Sequence, residues 1–185
     1  MSIKKNIKKY IALSLIIAIS ISVISCDFEV TTNESDLYGN KATVDRVKIN
    51  IEEAKVLSSI AILNENVILL SGLATEKNST FSVKNVSKKL EKQHRQIKNK
   101  LNDLAENKLI LLPNKLDKND INTLHYVEDE DFNNAYLDKV ETLLKNEIAQ
   151  LEYLSTITND VDFKVFTIRI LDDLNFSLTQ INKIN

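Results

Sequence analysis

The chain has 185 residues, with 24 Lys and Arg against 26 Asp and Glu, one cysteine, two histidines, two glycines and one proline. A single cysteine excludes an internal disulfide, and the acidic balance argues against binding nucleic acid through its phosphates. So little glycine and proline leaves almost none of the turn chemistry of a sheet protein, which points to helices.

The chain opens "MSIKKNIKKYIALSLIIAISISVISC", in which Lys4, Lys5, Lys8 and Lys9 precede an apolar run from Ile11 to Ile24 that stops at Cys26. A basic segment followed by a short apolar one predicts a secretion signal over residues 1–25. The run is shorter than the roughly 20 residues that span a bilayer, so a permanent transmembrane helix is the weaker reading. Val23-Ile24-Ser25-Cys26 resembles the bacterial lipobox. That resemblance implies cleavage before Cys26, a diacylglyceryl thioether on its sulfur and an acyl chain on its new amino group. More than one acyl chain gives stable membrane attachment. A stray cysteine in an ordinary cleaved signal is the alternative. Loss of the four leading lysines would leave 20 cationic against 26 acidic side chains, a net of −6, so the lipid and not the surface charge would be the anchor.

Residues 26–46 read as the lipidated cysteine and a flexible tether, because "DFEVTTNESDLYGNKATVDR" has no sustained apolar period. Residues 47–185 then suit one domain. Asn50 to Glu53 fits a capping box, after which Ile60, Leu63, Val67, Leu70 and Ala74 recur at helical spacing up to about Lys77. A second helix is predicted after "NSTF", carrying Val83, Val86, Leu90, Ile97, Leu101 and Leu104. The gap in that series falls on Gln93 and His94, so His94 is expected to face inward. A longer connection follows, with a short helix near Asp120 to Tyr126. The third long helix starts at Asp129, Glu130 and Asp131, acids favoured by the helix dipole, and carries Phe132, Tyr136, Val140, Leu143, Leu151 and Leu154. The fourth begins near Asp160 and shows Phe163, Phe166, Ile170, Leu174, Leu178 and Ile181 on one face. The predicted fold class is all-α, a four-helix bundle. If the middle connection crosses one end, the order is up-down-up-down; if it runs the length, the order is ferritin-like.

Three stretches, "LLSGLATEKNSTFSVKNVSKKLEKQHRQIKNKLNDLAENKLILLP", "DFNNAYLDKVETLLKNEIAQLEYL" and "DFKVFTIRILDDLNFSLTQI", resemble a bacterial ferritin-like family of unknown function whose members are often labelled outer membrane proteins. Leu73-Ala74, Gln93-His94 and the Phe132 to Tyr136 start match its pattern in outline. The resemblance places further family histidines near Leu144 and near Ser177. Only His94 is a histidine here, so a shared polar or metal site would be largely lost.

Glu91 and His94 form a Glu-x-x-His, the unit that di-iron bundles use on two helices with a further Glu from each of the others. His125 lacks a Glu three residues before it, and the acids Glu65, Glu141, Glu147, Asp172 and Asp173 are not paired with a histidine in sequence. The expectation is therefore no metal and no other cofactor beyond the lipid on Cys26, with Glu91 and His94 as the only metal candidates. No phosphate loop, nucleophile elbow or catalytic pair occurs. The basic residues from Lys88 to Lys100 read as a solvated helix face. Together these features predict a non-catalytic envelope lipoprotein, lipid-anchored in the outer membrane or a periplasm-facing membrane, with an unknown envelope protein as partner and no nucleic acid. The alternative is a ferritin-like metal or redox protein using Glu91 and His94.

Overall fold

In the computed structural model, residues 36–113 and 119–184 are described; the expected signal, Cys26 and residues 27–35 of the expected tether lie outside them. The chain divides into two compact units, Met1–Lys41 and Ala42–Asn185, and the second holds the features that follow. The described residues are helical, with no strand among them, in the order α1 (Asp36–Glu76), α2 (Phe81–Asn107), α3 (Asn119–His125), α4 (Asp129–Ile157) and α5 (Val161–Ile181).

Each boundary has a local cause. The Thr80 hydroxyl accepts from the Val83 amide at 3.4 Å and opens α2. The Asp160 carboxylate accepts from the Asp162 and Phe163 amides at 2.9 and 3.3 Å and opens α5. Both satisfy amides that a helix start leaves unpaired. The acids Asp129, Glu130 and Asp131 do occupy the first turn of α4.

Helix α1 departs from the sequence reading, since it begins at Asp36 and not at the Asn50 capping box. Residues 36–46, assigned to the tether, are helical. Helix growth explains this: once the buried turns beyond Glu53 have met the nucleation cost, adding polar residues at the N-terminal end costs little. Residues Arg46–Glu76 are long and apolar enough to cross a bilayer, but half of the apolar window is buried within the fold, as a central core helix requires.

The core is one continuous cluster that draws on all four long helices and on Leu124 of α3. Leu57, Ile60 and Leu70 of α1, Leu90 and Leu101 of α2, Tyr136, Leu144 and Leu151 of α4, and Ile170 and Leu174 of α5 are essentially without surface.

Cross-helix contacts fix the directions. Asn64, 13 residues before Lys77, reaches the carbonyl of His94, 14 residues after Thr80, so α1 and α2 fold back antiparallel about the short Lys77–Thr80 turn. Ser71 meets Tyr136 and Glu52 meets Tyr153, which makes α1 and α4 antiparallel. Thr80 meets Asn133 while His94 meets Glu147, so α2 and α4 are parallel. Two parallel neighbours cannot be joined across one end. Lys108 at the end of α2 and Glu128 at the start of α4 therefore lie toward opposite ends of the helical domain.

Candidate functional site

Several polar side chains lie within the otherwise apolar core of this domain. Asn64 and Ser71 on α1, Ser87 and His94 on α2, Tyr136 and Glu147 on α4, and Ser177 on α5 are all buried. Most sit at positions the helical register reserves for apolar side chains, between Leu63 and Val67, or between Leu144 and Leu151.

His94 and Glu147 form the centre, both with no exposed side-chain surface and with Nε2 3.3 Å from Oε2. His94 Nδ1 lies 2.9 Å from the Leu90 carbonyl one turn earlier. A carbonyl only accepts, so Nδ1 carries the proton and donates it there. That hydrogen bond turns Nε2 toward the carboxylate. One further proton between Nε2 and Oε2 makes the pair net neutral whichever atom holds it. Neither Glu147 oxygen has a protein hydrogen bond, and neither does Nε2. The Asn64 amide donates to the His94 carbonyl at 3.0 Å while its own oxygen is also unpartnered.

A second polar group lies about three turns away along α4. The Tyr136 hydroxyl and the Ser71 hydroxyl are 3.2 Å apart, and the Tyr136 ring stacks on Phe132 at 6.2 Å between centroids. Burial pushes the Tyr136 phenol above its ordinary value, against the opposing pull of hydrogen bonds from Ser71 and Ser87. The phenol therefore stays protonated and serves as a hydrogen-bonding group. On the other side of α2, Gln93 joins α5, its Nε2 donating to the Asp173 carbonyl at 3.0 Å and its Oε1 accepting from Ser177 at 2.6 Å.

The two sequence candidates are separated by the fold. His94 faces inward, as its register demands. Glu91 instead accepts from Arg95 at 2.7 Å on the helix surface. The acid that reaches the histidine is Glu147, noted in the sequence among acids lacking a histidine nearby in the chain. Its signal was its register: four residues beyond Leu143 and four before Leu151, it falls on the apolar stripe of α4.

Among the described residues no group of three or more His, Cys, Asp or Glu side chains is placed to hold a metal ion. Leu144 and Ser177, near which the resemblance puts histidines, are both buried, as Leu and Ser.

Residues 40–184 match the family model described as "Domain of unknown function (DUF4142)". The chain belongs to the DUF4142 family. No curated protein and no solved structure matches it. The DUF4142 match begins inside the N-terminal half of α1 and takes in all of the buried polar groups just described.

Proposed function

We propose that this DUF4142 chain is a bacterial envelope lipoprotein, held at the membrane through a lipidated Cys26, whose helices form a ferritin-like four-helix bundle with a non-catalytic structural or protein-interaction role. The observation that carries the reading is Val23-Ile24-Ser25-Cys26 at the end of a basic and then apolar leader. The enclosure of His94 and Glu147 favours a structural over a catalytic role, because a general acid or base must come within hydrogen-bond reach of a substrate proton. The bundle reading draws support from the continuous core of four long helices and the parallel course of α2 and α4.

The test is Cys26→Ala in cells fed a labelled fatty acid, followed by membrane fractionation. The parent chain should carry label and sediment with membranes, and the variant should lose both. A variant that remains labelled and membrane-bound would refute the anchor.

A further inference from the structure

Helix α5 is apolar on two opposite sides. Its inner side, with Phe163, Phe166, Ile170, Leu174 and Ile181, is buried in the core. Its outer side exposes Val161 at 71%, Val165 at 42%, Ile168 at 64% and Phe176 at 67%. At about 100° per residue these four fall within an arc of about 80°, facing away from the core. The only interruption of the row is Asp172, and Arg169 borders it. Single exposed apolar residues are ordinary, whereas a row of four along one helix marks a contact surface.

The order of residues in this row selects its occupant. Two parallel copies would set Asp172 against Asp172. Two antiparallel copies related by a two-fold axis between Ile168 and Arg169 place Val161 against the second copy's Phe176 and bring the two Ile168 side chains together. Asp172 then faces the second copy's Val165, one helical turn from its Arg169, so the charge that breaks the row gains a counter-ion. A two-fold contact must be self-complementary in this way, with residue i meeting j and j meeting i. We propose that the outer face of α5 is a self-association surface that docks antiparallel on the same face of a second copy. This goes beyond the anchor reading and holds whether or not Cys26 is lipidated.

Cysteine cross-linking of the full chain tests it, because a disulfide requires Cα atoms within about 7 Å. Ile168→Cys, beside the axis, should give a reducible covalent dimer under mild oxidation. Val161→Cys and Phe176→Cys should not dimerise alone, being about 22 Å from their own copies by helical rise, but should cross-link to each other when co-expressed. The parent chain, with Cys26 alone, reports any disulfide through that thiol. Asn99→Cys, exposed on α2, reports random collision. A monomeric Ile168→Cys, self-linking of Val161→Cys and Phe176→Cys, dimerisation of Asn99→Cys to the same extent, or an adduct with a different protein would each overturn the proposal.

Discussion

Two polar contacts, one in the centre of this domain and one at its rim, work by different physics. In the centre, the His94 and Glu147 side chains meet with no exposed surface. At the rim, the Lys108 ammonium sits between Asp160 and Asp162 at 2.6 and 2.7 Å, with all three side chains partly in solvent. An exposed pair gains little, about 0–1 kcal/mol, because water screens it and ordering the side chains costs entropy. A buried pair contributes little as a unit, yet removing one member leaves the other stranded at a cost of about 3–5 kcal/mol. The interior contact thus specifies which helices meet, while the rim contact adds modestly to the caps around it.

The sharpest way to break this comparison is to strand one interior partner. Glu147→Ala should lose about 3–5 kcal/mol in denaturant unfolding, with His94→Ala similar. The double variant His94→Leu with Glu147→Met should recover most of that loss, since hydrocarbon in place of both partners strands neither. Additive losses in the double variant would show that the two residues act separately and would remove the pair from the centre of the fold.

A smaller effect is expected at the rim, where cap and ion pair can be separated. The Asp160 carboxyl is held below the usual carboxylate range, first by the hydrogen bond from Lys108, against the opposing pull of burial, and then by the Phe163 and Asp162 amides. A folded value below the unfolded one, about 3.9, means that the stabilisation is complete above the unfolded value and is lost as pH falls through the folded one. Lys108 shows the mirror case, raised first by Asp160 and next by Asp162. Its contribution is complete below its unfolded value, about 10.4, and is lost as pH rises through the folded value. Asp160→Ala should therefore cost about 1–2 kcal/mol at pH 7 and flatten the acid limb of the stability profile. Asp160→Asn, which can still cap α5, should cost less than about 1 kcal/mol while flattening the same limb. Equal losses in the two variants would assign the effect to the charge and not to the cap.

How much of this was legible in the sequence follows from the range of each interaction. Caps and periodicity act over three or four residues, so the starts of α2, α4 and α5 and the inward face of His94 could be read directly. The partner of His94 could not, because Glu147 lies 53 positions away on a helix that runs parallel to α2, and that direction depends on the path of the connection. The Glu91 spacing was a local coincidence that Arg95, four residues on, had already claimed. The N-terminal extension of α1 was hidden for the opposite reason: its residues carry no apolar period in the sequence, and they are helical through continuity with the turns that follow.

The smallest expected effect has the opposite sign and concerns the end of α2. The Leu109 amide donates to the Glu106 carbonyl at 3.1 Å and the Ile110 amide to the Ala105 carbonyl at 2.8 Å, the pattern that closes a helix through a left-handed residue. That residue is Leu109, with φ of 56°, a conformation in which its Cβ crowds the following carbonyl. Glycine would relieve the strain but would also have more freedom to lose from the unfolded chain. The Leu109 side chain is 94% exposed, so little packing offsets the strain. Leu109→Gly should thus raise stability by about 0.5–1 kcal/mol, read as a higher denaturation midpoint with an unchanged slope. A lower midpoint would mean that this exposed leucine is held by contacts across the neighbouring groove lined by Val47 and Ile51, and the rim would then share in the packing that the comparison assigns to the interior.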